Sequence, residues 1–337
     1  MWTKDALEAL LDERVLVADA AIGTELYAQG FDFAHAFDAL NLNHPLVVRR
    51  VHRGYVAAGA RIITTNTFGA TRLRLERDHL ADRVREINRA GVDIARDASQ
   101  DRPPWNRPLI AASVGPLGRP LEPVGRLSEA RAREAFREQL DALLSGDPDL
   151  VVFETFSDLR ELCFAVEELV SLAPDAAFAA FATFTEEGKT LLGNKPAEVA
   201  REMAARGAAV VGANCSMGPQ GLEDVAERML QVPGTRVALR PNAGLPRLVD
   251  GRYIYVNLPD YFAEWAVRMA DLGVCMLGGC CGTTPAHVAA MRDAIGVRAP
   301  LARSGAGASL AVAAGAATIA ISASEPAMAG DTDGRGD

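Results

Sequence analysis

Gly278-Gly279-Cys280-Cys281-Gly282-Thr283-Thr284-Pro285 follows a short apolar run, Val274 to Leu277, and leads into a helical pattern. Thr284-Pro285 has the form of an N-cap followed by proline at the first helical position, so the stretch predicts a buried strand, a tight loop and a helix start. The flanking glycines let the backbone turn sharply enough for two adjacent thiols to face one point. The same arrangement recurs upstream, where Ala208 to Val211 runs into Gly212-Ala213-Asn214-Cys215-Ser216-Met217-Gly218-Pro219.

Outward from these two, the unit repeats. Short apolar runs begin at Val15, Arg61, Leu109, Leu150, Ala177, Ala208, Arg236 and Val274, and continuous runs of this kind read as strands buried on both faces. Helical patterns lie between them: Pro196 opens one that ends at Gly207, and Asp158 and Glu161 have capping-box spacing at the start of another. Eight alternations in under 300 residues predict the α/β class and a single (β/α)8 TIM barrel over residues 1–298, in place of an open doubly wound sheet. No Gly-rich dinucleotide fingerprint follows the first strand, and no nucleophile-elbow serine is present. Gly188-Lys189-Thr190 lacks the earlier glycine of a phosphate loop, because that position is Thr183. Residues 299–337 turn Ala/Gly-rich and then polar, and read as a low-complexity, flexible tail whose apolar part, Leu310 to Ala323, is too short to span a bilayer.

The 337 residues are 49% hydrophobic, enough for a sizeable core, and carry a net charge of −9. An acidic chain without a clustered basic stripe argues against nucleic acid as a partner. The acidic N-terminus lacks the apolar core of an export signal, so the expected location is cytoplasmic and no membrane partner is expected. In a reducing compartment an odd number of cysteines, five, points to metal or catalysis before disulfides.

The residues with chemical character fall just after the strand runs, where barrel active sites are built. They are Asp19, Asn66, Glu154, Cys215, Asn242, Cys280 and Cys281. Three thiolates select zinc and leave a fourth position open, as in catalytic sites. Two carboxylates and two amides beside them describe a pocket for a small molecule with a thiol and a cationic group. Each acid also has a plainer role, Asp19 as a turn cap and Glu154 as the partner of a barrel arginine. None of the five histidines directly follows a strand, which favours an all-sulfur site over a water-activating one. Sulfur-rich zinc lowers the pKa of a thiol bound as fourth ligand, so the thiol is a nucleophile without a separate base.

From about Val15 to about Arg298 the chain resembles the homocysteine S-methyltransferase family. The likeness is carried by Asp19 to Thr24, Leu40-Asn41-Leu42-Asn43-His44-Pro45, Thr65-Asn66-Thr67-Phe68, Ser113-Val114-Gly115-Pro116, Glu154-Thr155-Phe156, Asn214-Cys215 and Gly278 to Thr283. It implies a zinc ion held by Cys215, Cys280 and Cys281, with Asp19 and Glu154 on the amino group of homocysteine. Within the family, residues 214–219 and Pro241-Asn242-Ala243-Gly244-Leu245-Pro246 look most like the homocysteine module of cobalamin-dependent methionine synthase. One departure is Ala20, where the first motif usually carries glycine and where the extra methyl is expected to narrow the pocket floor.

The expected function is therefore zinc-dependent methyl transfer to homocysteine, giving methionine. The donor is either a methyl-corrinoid or folate-linked partner protein, or a small onium compound such as S-methylmethionine or betaine. The alternatives are a non-enzymatic zinc- and thiol-binding protein on the same barrel, or a methyltransferase acting on another thiol. Asn242, which follows the seventh strand run, is expected to fill the open zinc position when substrate is absent, unless it only serves the Pro241 turn.

Overall fold

The computed structural model describes residues 1–32, 36–249 and 252–300. Each apolar run forms a strand: β1 (Leu16–Val17), β2 (Ile62–Thr64), β3 (Leu109–Val114), β4 (Leu150–Phe156), β5 (Phe178–Ala182), β6 (Val210–Asn214) and β7 (Val237–Arg240). β8 (Arg247–Val249) and β9 (Arg252–Ile254) form a separate antiparallel hairpin, and β10 (Met276–Leu277) is the last barrel strand. The eight-stranded sheet runs β1-β10-β7-β6-β5-β4-β3-β2, with every pairing parallel. Its edges meet through a parallel bridge between Ala18 and Ile62, where Asp19 N donates to Ile62 O at 2.8 Å and Arg61 N to Val17 O at 2.7 Å. The result is the expected TIM barrel. The hairpin, inserted between β7 and the next helix, is an addition that the apolar runs do not announce. The expected tail lies outside the described residues from residue 301 onward.

Period-two alternation divides each strand between two cores. One set, including Val17, Ile63, Val151, Phe153, Val211 and Leu239, packs outward under the helices. The other, including Leu16, Ile62, Leu150, Val152, Phe181 and Met276, fills the barrel interior together with Leu7 and Leu11. These two leucines are fully buried and belong to the helix Lys4–Glu13, whose N-cap Thr3 accepts a bond from Ala6 N at 3.3 Å. Trp2 N donates to Asp149 O just ahead of β4, so this helix seals the N-terminal end of the barrel.

At the other end the same inward parity changes character. Beyond Ile62, Ala111, Val152, Gly212 and Ala238 come Thr64, Ser113, Glu154, Asn214 and Arg240. The alternation that fills the core with aliphatic groups thus delivers a polar set to one face, the C-terminal face on which barrel active sites stand.

The capping-box expectation at Asp158 holds only in part. Asp158 Oδ1 accepts from Arg160 N at 2.8 Å, but Glu161 reaches across to accept from Leu117 N at 2.7 Å and ties down the loop after β3. Burial pushes the Glu161 carboxyl up to about 7 against that bond. Thr284 does cap its helix, Pro285–Ile295. Its N–H donates to His287 Nδ1 at 3.2 Å, which leaves Nε2 to donate to Asn257 O at 2.9 Å.

Candidate metal and substrate site

Cys215 leaves β6 in a left-handed conformation, φ 61°, followed by Ser216 at φ 59°. Non-glycine residues held there cost on the order of 1–3 kcal/mol each, and such strain is concentrated at functional sites. It is sustained by Cys215 N donating to Arg240 O (3.1 Å) and Met217 N to Cys215 O (2.7 Å). The Cys280-Cys281 loop is clamped from both sides: Gly279 N donates to Asp19 O, Cys280 N to Pro241 O and Ala243 N to Cys281 O. The loop tolerates no side chain at its glycines. A Cβ at Gly279 would lie 2.1 Å from Thr283 Oγ1 and 2.9 Å from the Ala20 methyl, and one at Gly282, where φ is +80°, would lie 2.0 Å from the Tyr255 ring.

The outcome is convergence. The sulfurs of Cys215, Cys280 and Cys281 all lie within 4.8 Å of one another, with 4.0 Å between those of Cys215 and Cys281. Asn214 Nδ2 faces the Cys280 sulfur at 3.9 Å while its Oδ1 accepts from Thr155 N at 2.8 Å. Hydrogen bonds from Cys280 and Cys281 draw the Cys215 thiol far down, and the same sharing pushes the other two up. Cys163 is buried in the helix Leu159–Leu172, and Cys275 Sγ donates to Val237 O at 3.3 Å; neither joins the cluster.

The sulfurs open into a cavity of about 690 Å³. Asn66, Glu154, Cys215, Cys280 and Cys281 stand in its wall, as does Ala20. Asn66 spends its Nδ2 on Phe37 O (2.8 Å) and Asn41 Oδ1 (3.0 Å). Asp19 and Asn242, also anticipated as substrate ligands, sit behind the wall. Asp19 is fully buried, taking Thr64 N at 2.6 Å, the Thr64 hydroxyl and Arg240 Nη2 at 2.9 Å. Burial raises its carboxyl to about 6 despite the arginine. Arg240 Nη1 also reaches Glu154 Oε2 at 3.5 Å, and the Ser113 hydroxyl donates to Glu154 Oε1. The plainer role considered for Glu154, an ion pair with a barrel arginine, is therefore present, and it coexists with a place in the cavity wall.

Asn242 donates its side chain towards Cys215, while its buried Oδ1 has no hydrogen-bond partner among the described residues. The side chain is thus not consumed by the Pro241 turn. Three thiols with a buried amide beside one of them fit a metal-ligand set of three sulfurs and one light atom. The donor set fits a soft or borderline cation.

Arg240, Thr64, Ser113 and Tyr255 were not anticipated. The inward parity of Arg240, two residues after Ala238, was readable, as were Thr64 and Ser113. Tyr255 was not, because it arrives from beyond the hairpin to lie over Gly282. Burial and then the thiols of Cys281 and Cys215 hold its phenol neutral.

The model for the homocysteine S-methyltransferase family matches residues 16–295. The chain belongs to that family. A methionine synthase of Mycobacterium tuberculosis (strain ATCC 25618 / H37Rv) is 32% identical over 307 residues, covering 88% of this chain and 26% of that protein. The methionine synthase of Mycobacterium leprae (strain TN) is 31% identical over 308 residues, covering 87% and 25%. This family member thus spans about a quarter of the length of those curated relatives. Among solved structures, the metallated form of the homocysteine methyltransferase MmuM from Escherichia coli superposes with a TM-score of 0.72 at 26% identity, covering 85% of this chain and 99% of that one. The two chains therefore share one barrel fold over that region. Among the described residues no helix is long and apolar enough to cross a membrane.

Proposed function

We propose that this protein transfers a methyl group to the thiol of homocysteine, giving methionine, with zinc held by Cys215, Cys280 and Cys281. The observation that carries this reading is the convergence of three sulfurs and one carboxylate, Glu154, on the wall of a single cavity. Homocysteine offers a thiol and an ammonium, and those two receptors match them. Zinc in such a site lowers the pKa of a thiol beside it, so that the thiol is ionised at neutral pH.

The chain's own groups supply orientation and charge. The Ser113 hydroxyl and Arg240 hold Glu154 in one rotamer and leave it lone pairs for a substrate ammonium. Asp19, fully buried, fixes Arg240, which also donates to Gly279 O at 3.2 Å and so braces the cysteine loop. The transfer needs no general base, because the acceptor sulfur is already ionised when it attacks the methyl carbon. The methyl donor is either a small onium compound or a methyl-corrinoid or folate-linked partner. Methyl transfer to homocysteine from a panel of these donors, assayed on the zinc-loaded protein, tests the reading; zinc and thiol uptake with no turnover from any donor refutes it.

Two results follow from the wall and the atom behind it. Glu154→Gln keeps the size and removes the charge, so homocysteine affinity measured by calorimetry is expected to weaken by about 1.5–3 kcal/mol, the scale of a charge-assisted hydrogen bond. The melting temperature should barely move. A large loss of stability at unchanged affinity would return Glu154 to a purely structural role.

Asn242→Ala is read by X-ray absorption at the zinc edge. The wild type without substrate should show three sulfurs and one light atom, and four sulfurs once homocysteine is bound. The variant should lengthen or exchange the light-atom shell; an unchanged substrate-free spectrum removes the amide from the coordination sphere.

A further inference from the structure

β4 carries one residue too many for its neighbour. Its register against β5 pairs Phe153 with Ala180 and Phe156 with Ala182, so Glu154 and Thr155 together face Phe181 alone. In a regular strand, Phe153 outward would send Glu154 inward, Thr155 outward and Phe156 into the cavity. The bulge changes that outcome. Glu154 and Thr155 both stand in the cavity wall, while Phe156 packs in the same outer core as Phe153, its ring centroid 6.1 Å from that of Phe136. Bulges next to active sites re-aim side chains in this way.

Such a bulge has to be held. Thr155 sits in the left-handed region at φ 67°, a strained position for a β-branched residue. Its N–H donates to a side chain, Asn214 Oδ1, at 2.8 Å. Asn214 is fully buried at the end of β6, two strands away from β4 in the sheet. Its Nδ2 donates to the Thr155 hydroxyl at 2.8 Å and faces Cys280 Sγ at 3.9 Å, so the oxygen and both N–H bonds of the amide are engaged. Thr155 directly follows Glu154, the carboxylate proposed to meet the substrate ammonium, and Cys280 is one of the thiols proposed to hold zinc. One buried amide thus ties the two receptors for the acceptor together across the end of β5.

We infer that Asn214 is a positioning residue that fixes the separation between Glu154 and the metal thiols, and with it the length of the amino thiol that the site accepts. The assignment rests on the proposed methyl transfer and adds to it the choice of homocysteine over cysteine, which is one methylene shorter. Two receptors at a fixed separation reject cysteine because its thiol and its ammonium do not reach both at once. With the clamp gone, Glu154 is free to follow a relaxed β4, and the shorter compound spans the gap as well.

Calorimetry on the zinc-loaded protein compares homocysteine, cysteine and 4-mercaptobutyrate, which is homocysteine without its amino group. The wild type should bind homocysteine about 10-fold or more tighter than cysteine, the scale of one methylene in a fitted site. Asn214→Ala should bring that ratio close to unity while keeping its zinc, by metal analysis, and its affinity for 4-mercaptobutyrate. Thr155→Val, which removes only the hydroxyl, should lower the ratio in part, and Thr155→Ser, which returns the hydroxyl, should restore it; this pair decides the matter if Asn214→Ala does not fold. A ratio unchanged in Asn214→Ala, or in Thr155→Val where the alanine variant does not fold, overturns the assignment. So does a loss that falls on zinc or on 4-mercaptobutyrate, because Asn214 would then support the metal alone. A wild type that binds neither homocysteine nor 4-mercaptobutyrate refutes the methyl-transfer reading itself, whereas wild-type selectivity that persists in the variants refutes the role of Asn214 alone.

Discussion

Cys281→Ser is expected to leave the protein without zinc and without methyl transfer from any donor. A hydroxyl is a hard, weak donor to zinc compared with a thiolate. Changes to groups that merely support a ligand already cost about 10–100-fold in metal affinity, so loss of a ligand should exceed that. Metal analysis after dialysis against a chelator should find about one zinc per wild-type chain and almost none in the variant. Cys275→Ser supplies the control. Its sulfur is bonded to Val237 O and buried in the barrel interior, so that variant should keep its metal. The reverse pattern, zinc lost with Cys275 and kept with Cys281, would dissolve the proposed triad. Because the thiols must lose their protons to bind, zinc affinity in the wild type should rise with pH.

Arg240→Met carries the largest expected effect on stability, about 3–5 kcal/mol near neutral pH, the usual cost of removing one partner from a buried charge pair. Asp19 is fully buried and would keep only its Thr64 bonds, and Glu154 would lose the same neighbour. The pH dependence has a definite sign. The Asp19 carboxyl in the wild type is already raised to about 6 from 3.8, so its contribution is fully present below about 4 and is lost as pH climbs through 6. Without Arg240 the folded carboxyl is pushed higher still. The deficit of the variant should therefore be small near pH 4 and grow towards pH 8, as read from denaturant midpoints at each pH. A deficit independent of pH would mean that packing, and not charge, explains Arg240.

The barrel was legible because its signal is local. Eight continuous apolar runs, each ending in a polar or cysteine-bearing turn, state the strand count, the parallel pairing and the end at which chemistry belongs. The three cysteines and Glu154 were legible for the same reason, since each lies within four residues of the end of an apolar run. Even Arg240 was within reach: in Val237-Ala238-Leu239-Arg240 the parity that sends Ala238 inward sends the arginine inward too. The sequence does not reveal the two acids that meet it, Asp19 and Glu154.

Other features depended on distance along the chain. The helix Lys4–Glu13 has an ordinary amphipathic pattern, and only closure of the barrel makes Leu7 and Leu11 the seal of its lower end. Asp158 and Glu161 satisfy the spacing of a capping box, yet Glu161 turns to Leu117 because a buried loop N–H competes for it.

By itself, then, the sequence determined the eight alternating units, the face that bears the site and the thiols that form it, since each follows from neighbours within a few residues. Tertiary structure alone decided which acid meets the cavity and which stands behind an arginine. It also placed Tyr255 over the cysteine loop. Those outcomes depend on strands far apart in the chain being brought within hydrogen-bond reach, where burial and competing partners settle what each polar group can do.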